Sequence, residues 1–214
     1  MILFSAIFFH YATVIRMQWI FVGLGNPGGE YEGTRHNVGR DFLAELAKKE
    51  GIEKWKEDAK LRSKTAKGEL FGTKATIMLP DTYMNNSGHA LKALITSKNA
   101  TLGLVVLQDE LDMPLGRVKL SYGSSSGGHR GVDSIQKTLK TKDFIRIRIG
   151  ISPSTPTGKL KKPDATEVTG FVLGKFKATE QEKLKKVQKI VAEAIELLLT
   201  EGREHATMVI HSKN

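Results

Sequence analysis

The 214-residue chain is long enough to bury one well-formed core, and its apolar and charged fractions, 40% and 26%, exclude the disordered and fibrous classes. It contains no cysteine, which removes disulfides, thiolate nucleophiles and cysteine-based metal sites together and is compatible with a reducing cytoplasm. The formal net charge of +10 makes a polyanion, nucleic acid above all, a natural partner, although a solvated lysine surface gives the same balance.

In chain order, residues 1–16 (MILFSAIFFHYATVIR) are apolar but lack the basic start and small-residue cleavage site of a signal peptide. The run is too short to span a bilayer. Met17 opens MQWIFVGLGNPG, a natural entry into a first strand, so residues 1–16 are expected to be a non-native or disordered leader and 17–214 the working domain. Residues 19–23 read as a buried strand and 37–49 as a helix with Val38, Phe42, Leu43 and Leu46 on one face. A hairpin is expected over 62–79 around Gly72-Thr73, ending at Pro80. Met84 to Lys98 reads as one helix facing a core through Ala90, Leu91, Leu94 and Ile95.

Leu104–Leu107 suits a central strand, Gly116–Tyr122 a second, and GSSSGGHRG a loop before a helix from about Val132 to Leu139. In Ile145–Ile149, alternation places three isoleucines on one face and Arg146 and Arg148 on the other. Residues 152–164 form a Pro/Ser/Lys-rich loop, and Thr179-x-x-Glu182 reads as a capping box opening a long helix that ends at Gly202. The whole is an α/β protein: a single domain with a twisted mixed β-sheet flanked by helices.

Two motifs fail on context. Gly23-Leu24-Gly25-Asn26-Pro27-Gly28 matches the dinucleotide fingerprint, but Pro27 falls in the turn and the helix is delayed to about Asn37. No second strand with an acidic end follows about 20 residues on. Gly123-Ser124-Ser125-Ser126-Gly127 matches a nucleophile elbow with Ser125 as nucleophile, yet four residues separate it from the helix it should turn into. A serine hydrolase would also need distant partners such as Asp164 and His205.

What remains is a set of polar residues at strand ends and helix starts: Asn26, His36, Asn37, Asn85, Asp109 and His129. Binding sites of open α/β sheets gather beyond the carboxyl ends of strands. A histidine serves as general base near neutral pH, a carboxylate fixes its tautomer, and asparagine amides hold a carbonyl or oxyanion. Together they describe water-mediated ester hydrolysis with no metal and no cofactor. Singly, each has a plainer reading as a turn residue, a cap or an ion-pair partner.

The sequence resembles the bacterial-type peptidyl-tRNA hydrolases from about Trp19 to past residue 200. Five segments carry the resemblance: GLGNPGGEYEGTRHNVG (23–39), LPDTYMNNSG (79–88), QDELDMPLGRVKL (108–120), SGGHRG (126–131) and IRIRIGI with VTGFVLGKF (145–176). The resemblance implies a monomeric, cytoplasmic enzyme that cleaves the ester between a peptide and the tRNA 3′ ribose, with no cofactor. It implies His36 as the base, Asp109 as its orienter and Asn26 as a contact to the peptide. Asn85, Tyr83 and Tyr31 would lie along the substrate groove, and Gly128 and His129 would border it. Lys119 and Arg148 would hold acceptor-stem phosphates, with Arg146 on the same face as Arg148. Lys159, Lys161 and Lys162 have no assigned role.

One position departs from the family pattern: Arg130 stands where asparagine is usual after the histidine. Arginine accepts no hydrogen bond but pairs with phosphate, so Arg130 is expected to trade amide positioning for a grip on the tRNA end. A catalytically inactive RNA-binding module of the same fold is the alternative reading.

Overall fold

The computed structural model describes residues 17–213; the expected leader, 1–16, lies outside the described residues. Seven strands form one mixed sheet in the order β2-β3-β4-β1-β5-β7-β6. They are β1 (Trp19–Gly23), β2 (Lys56–Asp58), β3 (Ser63–Leu70), β4 (Thr73–Pro80), β5 (Leu104–Pro114), β6 (Val118–Tyr122) and β7 (Ile145–Ser152). The four central strands β4, β1, β5 and β7 run parallel. At the margins, β3 pairs antiparallel to β4, β2 to β3 and β6 to β7.

Alternation along the central strands divides the core in two. Trp19 and Phe21 of β1, Val105 and Leu107 of β5 and the four isoleucines of β7 face one layer. There they meet α1 (Val38–Lys49), α6 (Gln181–Thr200) and α7 (Arg203–Ser212). Ile20, Val22, Leu104 and Val106 point the other way, onto α2 (Ser87–Leu91) and α4 (Arg130–Leu139). Both faces of the parallel strands are covered, which is why β1 and the first four residues of β5 are unbroken apolar runs. Two short helices, α3 (Lys98–Thr101) and α5 (Val168–Leu173), complete the set.

Several expected elements differ. The helix expected over 84–98 is broken: a single 3₁₀ turn at Met84–Asn86 leads into α2, which stops at Leu91. Ser97 is extended and caps α3 through the Ala100 N–H at 3.3 Å, so a second helix starts where the first was expected to end. The capping box lies two residues earlier than expected, on the 3₁₀ turn Ala178–Glu180 that leads into α6, with the Glu180 carboxylate accepting the Lys177 N–H at 2.6 Å. That helix ends at Thr200, close to the expected end at Gly202, and Gly202, at φ +87°, turns the chain into α7, a helix not expected from the sequence. α4 starts at Arg130, because His129 is its cap.

Candidate active site

The carboxyl ends of β1, β4 and β5 open onto a cleft of about 380 Å³. Its lining includes Asn26, His36, Tyr83, Asn85, Asp109, Gly128, His129 and Arg130, eight positions named from the sequence. Close packing brings them together. A Cβ on Gly39 would lie 2.3 Å from the Leu107 carbonyl oxygen, so glycine there lets the first turn of α1 press against the β5 backbone. His36, in the 3₁₀ turn Arg35–Asn37 that leads into α1, is thereby carried to Asp109 on β5. Arg40, in the first turn of α1, reaches the end of β4 and pairs with Asp81 at 2.7 Å, which fixes the loop bearing Tyr83 and Asn85.

Asp109 is the hub. Its Oδ1 lies 2.9 Å from His36 Nδ1 and 2.8 Å from His129 Nε2, and the carboxylate is 3% exposed. His129 Nδ1 accepts the backbone N–H groups of Gly131 and Val132 at 3.2 and 3.3 Å, so its proton sits on Nε2 and is donated to Asp109. Burial would raise the Asp109 pKa, but the two histidines outweigh it by charge and hydrogen bond and hold the carboxyl well below the usual range. An ionised Asp109 accepts from His36 Nδ1–H, leaving Nε2 of His36 as the lone-pair nitrogen. Burial pulls the His36 pKa down and Arg130 adds to that, yet the charge and hydrogen bond of Asp109 prevail and raise it above 6.5.

His36, Asp109 and His129 place their donor atoms within 4.8 Å of one another, close enough to hold a metal ion. Each ring nitrogen turned to Asp109 already has a hydrogen-bond acceptor, and the arrangement is accounted for by protons alone.

Asn26 is fixed at three points. Its N–H donates to Asn37 Oδ1 at 2.8 Å, its carbonyl accepts from Asn37 Nδ2 at 2.9 Å, and its side-chain oxygen accepts the Met84 N–H at 2.8 Å. With Oδ1 committed, the side-chain NH₂ is what Asn26 can offer the cleft. Tyr83 is exposed and stands with Asn85 on the same wall.

Other expected residues fall elsewhere. Tyr31 is half-buried in the 3₁₀ turn Gly29–Tyr31 and is not part of the cleft lining. Lys119 and Arg148 are cross-strand neighbours on β6 and β7, and Arg148 Nε bonds Glu110 Oε2 at 2.8 Å at the cleft edge. Arg146 is not on a solvated face: it is 2% exposed and bonds Ser124 Oγ, the Ser125 carbonyl and Gln108 Oε1. It pins the serine loop from beneath, so Ser124 and Ser125 are anchors of that loop. His205 pairs with Glu201 one helical turn away, at 2.9 Å, which gives the elbow reading no support. Lys162 pairs with Asp112.

The sequence reading missed Glu110, Leu111, Met84 and the α5 residues Val168, Thr169, Val172 and Leu173, all of which line the cleft. The acid beside Asp109 in an otherwise apolar run was a signal for Glu110. The apolar VTGFVLG stretch after the lysine-rich loop was one for α5.

Fold and site together define an α/β hydrolytic enzyme: a buried carboxylate, an oriented histidine and an amide donor in one cleft beyond the ends of parallel strands. The model of the family described as peptidyl-tRNA hydrolase matches residues 20–214, and the chain belongs to this family. A peptidyl-tRNA hydrolase from Carboxydothermus hydrogenoformans is 42% identical over 186 residues, covering 86% of this chain and 94% of that one. One from Thermodesulfovibrio yellowstonii is 41% identical over 187 residues, covering 86% and 93%. The crystal structure of peptidyl-tRNA hydrolase from Acinetobacter baumannii superposes with a TM-score of 0.80 at 33% identity, covering 91% of this chain and 95% of that one.

Proposed function

We infer that this enzyme hydrolyses the ester joining a peptide, or an N-blocked aminoacyl group, to the 3′ ribose of tRNA, and so recycles tRNA from prematurely released peptidyl-tRNA. The observation that carries the reading is the His36–Asp109 pair, 2.9 Å apart, at the wall of the cleft. Water on His36 Nε2 gives up a proton to that nitrogen as its oxygen bonds the ester carbonyl carbon. Asp109 stabilises the imidazolium formed, and His129 keeps the carboxylate in place.

The carbonyl oxygen becomes an oxyanion facing amide donors, Asn26 first and Asn85 beside it. When the tetrahedral centre collapses, the bond to the ribose oxygen breaks. The His36 proton passes to that oxygen, and the products are free peptide and tRNA with its 3′ hydroxyl restored. Arg148, aimed by Glu110, and Lys119 beside it suit backbone phosphates, which position RNA without reading its sequence. Arg130, exposed at the cleft, suits the phosphate of the 3′ end. Tyr83 and Tyr31 are assigned to the path of the substrate leading to the ester, and His129 also borders it. The protein acts as a monomer in the cytoplasm. Among the described residues, no helix is long and apolar enough to cross a membrane.

The test compares N-acetyl-aminoacyl-tRNA with unblocked aminoacyl-tRNA. Cleavage of the blocked substrate alone is expected; binding of tRNA without cleavage of either would favour an RNA-binding role instead.

A further inference from the structure

The α5 wall of the cleft is thinly built: Val172 belongs to the core, and Val168 and Phe171 pack against it. α5 is six residues long and only Val172 in it is buried, yet Val168, Thr169, Val172 and Leu173 all reach the cleft. Its polar link to the sheet side of the molecule runs through the two residues before His36, of which Thr34 pairs with Lys175 in an isolated antiparallel bridge. Arg35 is 5% exposed, and its backbone N–H donates to the Gly174 carbonyl at 3.0 Å. Its Nη1 donates to the carbonyls of Gly174 and Lys175 at 3.2 and 2.8 Å, and its Nη2 to Glu180 Oε2 at 2.9 Å. The guanidinium also lies over the rings of Phe171 and Phe176, 4.5 and 5.1 Å from their centroids. Arg35 Nε has no hydrogen-bond partner.

A buried guanidinium with one orphan donor is a costly way to fill a core, and an apolar side chain would fill it more cheaply. What only the planar fork supplies is simultaneous binding of two carbonyls and a carboxylate while it stacks on aromatic faces. All of those partners lie within Phe171–Glu180, the tail of α5 and the turn that follows it.

We propose that Arg35 is a positioning residue that ties the α5 wall to the catalytic turn, holding the wall in register with His36 so that the 3′-terminal ester is gripped between them. Asp109 holds His36 independently of Arg35, so loss of the tie loosens the wall and leaves the base where it is. The kinetic part of the proposal rests on the hydrolase reading above; the structural part does not.

The test is Arg35→Lys, which keeps the charge and loses the fork, followed by amide hydrogen exchange and by KM and kcat on N-acetyl-aminoacyl-tRNA. Exchange across residues 168–176 is expected to rise about tenfold or more, with β1 and β5 unchanged. KM is expected to rise about tenfold while kcat stays within about threefold. Unchanged exchange in that segment overturns the proposal, and so does a fall in kcat at constant KM, which would place the effect on the base. If the wild type cleaves no blocked substrate, the hydrolase reading falls and exchange alone decides the tie. Should Arg35→Lys not fold, Glu180→Gln removes one partner and is expected to shift exchange and KM the same way by a smaller factor. No shift in either there counts against the tie.

Discussion

The Nδ1 atom of His36 stands 2.9 Å from Oδ1 of Asp109, and the same oxygen is held from the other side by His129 Nε2. The carboxylate therefore has its orientation set by a histidine that is itself locked by two backbone N–H groups at the start of α4. The base inherits its tautomer from that chain of hydrogen bonds.

Asp109→Asn should lower kcat by about 10²–10³-fold, within the range that general base catalysis contributes. The pH dependence carries the sign. His36 acts unprotonated, and Asp109 raises its pKa against the pull of burial, so the acid limb of kcat/KM in the wild type lies on the alkaline side of an ordinary imidazole's. Without the charge, burial is unopposed and the limb moves to lower pH. A pH–rate profile of both proteins checks the direction.

Arg130 lowers the His36 pKa by its charge. Arg130→Asn should therefore move the acid limb to higher pH. If the side chain also holds a phosphate, the slope of log KM against log salt should flatten by about one phosphate's worth. Both effects are read from the same set of assays at two salt concentrations and several pH values.

Gly39→Ala tests the close approach of α1 to β5. The added methyl would meet the Leu107 carbonyl at 2.3 Å, so the backbone must part. A stability loss of about 1–3 kcal/mol is expected, the usual cost of overpacking, with a fall in kcat as His36 draws away from Asp109. Denaturant titration beside single-turnover kinetics separates the two.

Asp41, in the first turn of α1, has its pKa raised to about 6, chiefly by burial, although it accepts the Gly33 N–H at 3.1 Å. Its folded pKa lies above its unfolded one, so the folded state is favoured at low pH. That advantage is lost as pH rises from about 4 through about 6. Asp41→Asn should thus be more stable than the wild type at pH 7.5, by about 1 kcal/mol or a few degrees in Tm. The margin should shrink toward zero as the pH falls to about 4. Melting curves at the two pH values decide it.

β1 and the start of β5 were legible as unbroken apolar runs, and β7 by its alternation of isoleucine and arginine. The site was legible in part: Asn26 follows the end of β1 and His36 opens the approach to α1, but β5 runs on to Pro114, so Asp109 lies mid-strand and not at the strand end expected after Leu107. The burial of Arg146 was not legible, because alternation reports only which side of a strand a residue takes. It says nothing of a loop from 22 residues away folding over that side. Arg35 looked like one more charge in a polar stretch, since its partners lie 139 to 145 residues on. The break before α3 and the capping box on the turn before α6 were local contests between neighbouring capping residues.

The central claim is that His36, held by Asp109, is the base that activates water. The most direct measurement is single-turnover release of N-acetyl amino acid from N-acetyl-aminoacyl-tRNA by wild type and by His36→Ala, with tRNA binding measured in parallel. The account predicts that His36→Ala binds tRNA as tightly as the wild type and releases product at least about 10²-fold more slowly. Release at the wild-type rate by His36→Ala would contradict it.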